Sequence, residues 1–219
     1  MKKYELTAEF IEKWGKKLFR IKALISFGNV EAGELGGYVE KEDNLAQDDN
    51  AWVHGNARVF GNARVCDDAW VYGDAEVYGD ARVCGNAEVY GNAEVYGNAR
   101  VYGDAEVYGD AWVYGNAEVY GNARVCGDAK VCGDADYLLI GRIGSRFSFT
   151  TFFKNKDKGI TVSCGCFLGT IAEFRAKVSD THGNNKHAKI YNLAADMAEL
   201  QILGEEHFEN LNTNKSEPF

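Results

Sequence analysis

Proline is almost missing from this sequence, with Pro218 the single one in 219 residues. Proline-rich linkers are therefore excluded, and collagen is excluded because glycine shows no three-residue period. The chain is too apolar, at 46% hydrophobic residues, for general disorder. No apolar run approaches the roughly 18 residues of a membrane span. The opening segment MKKYELTAEF has no apolar core of a secretory signal, so the expectation is a soluble, cytoplasmic protein with no membrane partner. Positive charge is also short, with 24 Lys and Arg against 33 Asp and Glu, a net charge of −9. General nucleic-acid binding needs clustered Lys and Arg to displace counterions, so it is not expected. A local basic pocket for a small anion remains compatible with that balance.

Glycine, at 25 residues, is abundant and regularly placed. From Asp48 to Tyr137 the chain divides into fifteen consecutive six-residue units, such as Tyr72-Gly73-Asp74-Ala75-Glu76-Val77. Short-period self-similarity of this kind means a solenoid. In Ala-x-Val, alanine and valine point to one side of a short strand and the variable residue to the other. Gly-Asn or Gly-Asp then supplies the corner, because these residues tolerate the left-handed backbone region. Three strands and three corners close a triangular coil of eighteen residues, giving about five coils stacked at roughly 4.8 Å. Four of the six cysteines (Cys66, Cys84, Cys126, Cys132) replace a tyrosine at one fixed repeat position. That pattern reads as packing, not as a disulfide framework.

These units resemble the hexapeptide-repeat family of left-handed β-helices, over about 90 residues without interruption. The resemblance implies a single-stranded left-handed parallel β-helix. It implies little about activity, because that fold carries acyltransferases, structural proteins and binding proteins.

Stacking every eighteenth residue gives the outer faces. One reads Trp52, Trp70, Glu88, Glu106, Arg124; the second reads Arg58, Glu76, Glu94, Trp112, Lys130; the third reads Arg64, Arg82, Arg100, Glu118, Asp136. Aromatic ladders mark two edges, Tyr72–Tyr90–Tyr108 and Phe60–Tyr78–Tyr96–Tyr114. The arginine ladder is either a solvated face or a partner surface, since like charges on neighbouring strands repel. Trp52, Trp70 and Trp112, otherwise left on outer strands, predict with the arginines a homo-oligomer, by fold analogy a trimer.

Both ends of such a solenoid need covering. Phe10, Ile11, Trp14 and Leu18 predict an amphipathic helix, followed by a strand over Phe19–Phe27. Leu45 and Val39 lie six and twelve residues before Ala51, predicting a degenerate coil within residues 1–47. The glycine-rich stretch between Gly28 and Val39 is no phosphate loop, since no Gly-Lys-Ser/Thr follows it. After the 48–137 β-helix, residues 138–205 predict a small α+β domain. Tyr137–Ile143 and Phe147–Phe153 form its hairpin and Ile160–Cys164 a third strand. Thr170-Ile171-Ala172-Glu173 is a capping box that opens a helix, with a second helix from Lys186 to Leu203. Residues 206–219, with His207, are expected to be a flexible tail. The end domain and the Phe27–Val39 segment resemble those of hexapeptide-repeat proteins of bacteria and their phages, often labelled transferases from fold alone.

Acyl transfer in this fold usually employs a histidine general base on a loop that breaks the coil. Here His54 is the repeat's one histidine and no loop interrupts residues 48–137, so no catalytic residue is assigned. Cys164, Cys166, His182 and His187 do not fit a recognised zinc spacing, and no metal or cofactor is expected. Cys166 with His182 as a nucleophile pair is weaker than a plain buried thiol and surface histidine. Anion binding makes better use of the residues. Arg142, Ser145 and Arg146 cluster at one hairpin turn, Phe147 and Phe149 offer stacking surfaces, and Thr170 opens a helix whose N-terminus accepts negative charge. The leading expectation is therefore a non-enzymatic binder of a small anionic, nucleotide-like ligand. If the chain is phage-derived, as the resemblance suggests, it would act in the host cytoplasm as a sponge for an immune signal. The alternatives are a structural solenoid mediating protein contacts and, after it, an acyltransferase.

Overall fold

The computed structural model describes residues 2–205, and the chain divides into two compact units, Met1–Asp128 and Ala129–Phe219. In the first unit thirteen two-residue strands, β4 (Trp52–Val53) to β16 (Arg124–Val125), recur every six residues. They stack in parallel at the eighteen-residue register: Trp52 pairs with Trp70, Arg64 with Arg82, Arg82 with Arg100, and Glu94 with Trp112. The chain is thus mainly β, built on a parallel β-solenoid. Every alanine and valine of the Ala-x-Val units from Ala51 to Val125 is buried. Each buried valine contributes about 1.5–3 kcal/mol of transfer free energy, which makes this narrow column the unit's main source of stability.

The first coil has no earlier coil to pair with, so its cover must satisfy its outward backbone groups. Within the stack Trp52 N donates to Ala69 O at 3.0 Å and Arg100 N to Ala117 O at 2.9 Å. The cap meets carbonyls of the first coil with donors of its own. Tyr38 N donates to Ala57 O and Glu40 N to Val59 O. The buried Asn44 amide donates to Gly61 O and Ala63 O at 3.2 and 2.8 Å. The buried Lys3 ammonium, with three donors and no acceptor, reaches Asp48 O, Asp49 O and Ala51 O at 2.9–3.3 Å. Burial lowers its pKa to about 8.

The helix expected around Phe10–Leu18 is instead a β-hairpin. β1 (Tyr4–Lys13) and β2 (Lys16–Ala23) are joined by Trp14 and Gly15, both with positive φ, at 50° and 74°. That is the two-residue turn that matches strand twist. β2 also pairs with β3 (Leu35–Val39), which itself lies parallel to Arg58–Val59. A solenoid edge that needs a partner strand thus outweighed an apolar spacing that fits a helix equally well. The degenerate coil is present, but two residues out of the expected frame: Val39 pairs with Val59 and Leu45 with Val65.

The tyrosine edges are stacked, with ring centroids 4.8 Å apart for Tyr72–Tyr90 and Tyr90–Tyr108. Tyr72 and Tyr78 hydroxyls donate to Glu88 and Glu94 at 2.8 Å, and Tyr90 to Glu106 at 3.2 Å. Burial first, and then the carboxylates, hold these phenols above their ordinary value of 10.0, with Tyr90 pushed up to about 12. A raised folded-state pKa gives stability that is complete below the unfolded value and is lost as pH rises through the folded one. Thermal stability is therefore expected to fall between pH 10 and about 12, with native phenolate absorbance lagging that of the denatured chain. Coincident titration of the two states would contradict the ladder's role.

The second unit begins at β17 (Lys130–Val131). A four-stranded antiparallel sheet follows: β18 (Tyr137–Ile143), β19 (Ser148–Lys154), β20 (Ile160–Cys164) and β21 (Phe167–Thr170). The expectation missed β21, because the two-residue turn Gly165-Cys166, with Gly165 at φ +60, is too short to stand out in sequence. Helices α1 (Ile171–His182) and α2 (Lys186–Leu203) cover the sheet, α1 opening with the predicted capping box. Phe152, Val162, Phe174, Val178, Tyr191 and Ala195 form the core. Among the described residues no helix is long and apolar enough to cross a membrane. His207 and the rest of the expected tail lie outside the described residues.

Candidate functional site

The second unit holds a cavity of about 220 Å³ lined by Ser145, Arg146, Cys164, Cys166, Lys177, His182 and Tyr191, among others. Of the residues proposed from sequence for the anion site, Ser145 and Arg146 reach it. Arg142 is exposed and does not line it; β18 is irregular between Ile140 and Ile143, so alternation along the strand fails there. Phe147 is exposed with φ 48°, and Phe149 packs over Gly141. Thr170 caps α1, but that helix end already holds an anion of its own: Glu173 Oε2 accepts from Thr170 N at 2.8 Å and from Thr170 Oγ1 at 2.9 Å.

Inside the cavity the Cys164 sulfur accepts a hydrogen bond from Thr150 Oγ1 at 3.2 Å and lies beside the Tyr191 hydroxyl. Burial, then Cys164, raises the Tyr191 pKa, while the Arg146 guanidinium and the Ser145 N–H oppose the rise. Arg146 passes close to Gly165, and the His182 ring stacks on Tyr191 at 5.8 Å. Sequence reasoning missed Lys177 and Tyr191, which lie one and two helices beyond the hairpin. Cys164, Cys166, His182 and His187 do not bring three ligand atoms together at metal-binding range among the described residues.

The outer faces differ from expectation at Trp52. It is fully buried, edge-on to Tyr4 at 6.3 Å and Phe27 at 5.4 Å, because the N-terminal segment folds over it. Trp52 therefore belongs to the cap's core and not to an outer surface; Trp70 is half-buried and Trp112 more open. Arg64, Arg82 and Arg100 do stack in register, with Arg100 paired to Glu118 at 3.0 Å. His54 sits 3.6 Å from Glu34, beside Trp70, Tyr72 and Glu88.

A second feature was not foreseen. The expected buried stripe of α2 (Tyr191, Ala194, Ala195, Ala198, Ile202) faces the core, yet the helix has another apolar stripe on its opposite side. Ile190, Leu193, Met197 and Leu200 are 39%, 63%, 57% and 45% exposed. Their 3-4-3 spacing is that of a coiled-coil seam.

A family model described as YdcK Beta solenoid repeat matches residues 57–73, 93–109 and 99–115, all inside the repeated segment. No curated protein matches the chain.

Proposed function

We propose that the protein is a structural solenoid whose copies associate through α2, presenting the charged and aromatic ladders for protein contacts. The exposed seam Ile190–Leu193–Met197–Leu200 is the observation that carries this reading. Four large apolar side chains in one line on an isolated surface helix lose hydrophobic free energy unless they are covered. The stripe is symmetric about Ala195, so an antiparallel second copy matches Ile190 with Leu200 and Leu193 with Met197. The same arrangement brings the basic start of the helix, Lys186 and Lys189, towards the end of its partner, where Glu205 stands. This favours a two-fold pair over the three-fold assembly inferred from fold analogy. Met197 oxidation by peroxide tests it: the rate should fall several-fold as protein concentration rises and the seam closes. A rate independent of concentration would sink the proposal.

A second reading concerns the cavity of the second unit. Arg146, Lys177 and His182 around about 220 Å³ suit a small anion, whereas a whole nucleotide needs a site of roughly 300 Å³ or more. Inorganic phosphate binding by calorimetry, lost in Arg146→Ala and kept in Arg142→Ala, is the expected pattern. Equal loss in both variants would contradict it.

A further inference from the structure

The solenoid departs from its own rule on one corner. From Gly73 to Gly127 the left-handed corner residue is always glycine, with φ between +65° and +74°. At Asp67 an aspartate carries the same kind of conformation, at φ +58°. A non-glycine residue there is costly by about 1–2 kcal/mol, with Asp and Asn the better tolerated. Asp49 does the same one coil earlier, at φ +53°, where its carbonyl accepts from Lys3. Asp67 has a different neighbourhood. Cys66 immediately precedes it and Cys84 lies one coil away on the same edge, where the later coils carry Tyr102 and Tyr120. The two thiols are half-buried close neighbours. The two sulfurs and a carboxylate oxygen of Asp67 all lie within 4.8 Å of one another. Asp67 Oδ2 also accepts from Gly85 N at 2.9 Å, which fixes the carboxylate against the second coil.

We propose that Cys66, Asp67 and Cys84 form a binding site for a soft or borderline divalent cation, Zn(II) or Cd(II), that clips two successive coils together. Two sulfurs select such cations over magnesium or calcium. Tetrahedral zinc, with bonds of about 2.3 Å to sulfur and about 2.0–2.2 Å to oxygen, separates its ligand atoms by roughly 3.4–3.8 Å. The present triangle, with its atoms within 4.8 Å of one another, must contract to that size on binding. The exposed corner leaves the fourth position to water. Binding releases one proton from each thiol, so the cation with two thiolates and one carboxylate carries a net charge of −1. Arg64 and Arg82, each two residues before a cysteine, stand beside that charge. The arginine ladder then balances a bound metal complex, which accounts for like charges placed in register.

The test is cation titration of the reduced, chelator-stripped protein against a chromophoric competitor, with sulfur-to-cadmium charge-transfer absorbance as second readout. Asp67→Gly installs the residue that later corners carry, and Cys84→Tyr the residue that later coils carry on this edge, so both keep the solenoid. One high-affinity equivalent is expected in the wild type, weakened more than about tenfold by Asp67→Gly and removed by Cys84→Tyr. The four other cysteines are unchanged in both variants and cancel from the comparison. No uptake by the wild type, or full affinity in both variants, would overturn the site.

Discussion

Replacing Leu193 and Met197 together with glutamate is expected to reduce the protein to single 24.2 kDa chains. The antiparallel pair sets Leu193 of each copy against Met197 of the other, so the double variant places four carboxylates at the centre of one seam. Each lost apolar contact removes about 1.5–3 kcal/mol, and burying unpaired charge adds several more. The dissociation constant should therefore rise by more than about 1,000-fold, since each 1.4 kcal/mol is tenfold. Both side chains are largely exposed in the single chain, so its circular dichroism and thermal midpoint should hardly move. Sedimentation velocity reads the result. A variant that sediments as the wild type does would show that the seam faces solvent.

Gly36→Val is expected to detach the N-terminal cap from the first coil. A Cβ at Gly36 would lie 2.5 Å from Ile21 Cγ1, 2.6 Å from the Val53 carbonyl and 2.7 Å from the Trp52 ring. At Gly37 it would meet the Ala57 carbonyl at 2.6 Å. Neither glycine has a positive φ, so the requirement is close approach of β3 to the coil, not an unusual backbone. Overpacking against fixed backbone on this scale costs about 3 kcal/mol or more. A solenoid need not unfold as one unit, so the loss should be local. Trp52, now fully buried, should become accessible to acrylamide, and amides of β1–β3 should exchange faster, while the coils from Trp70 onward keep their protection. A Trp52 that stays shielded would contradict this role for the glycine pair.

The solenoid was legible because its rules are local. Ala-x-Val sets the buried face, Gly-Asn or Gly-Asp sets the corner, and eighteen-residue spacing then aligns the ladders as observed. The N-terminus was misread because Phe10, Ile11, Trp14 and Leu18 satisfy helical spacing, while the deciding term, an unpaired coil edge calling for β3 and β2, is non-local. The C-terminal sheet was mostly readable, but the short Gly165-Cys166 turn concealed β21. The site suffered from the same limit. Arg142 and Arg146 are neighbours in sequence, yet the irregularity after Ile140 separates them, and Lys177 and Tyr191 arrive from helices far along the chain. The α2 seam was overlooked because one helix carries two apolar faces, and the alanine-rich one already accounted for its packing.

The mass of the intact assembly tests the central claim most directly. A native mass spectrum of the wild-type protein is predicted to show a species of twice the 24.2 kDa chain mass, replaced by the single chain in the Leu193→Glu/Met197→Glu variant. A wild-type spectrum containing only single chains across the accessible concentration range would contradict assembly through α2.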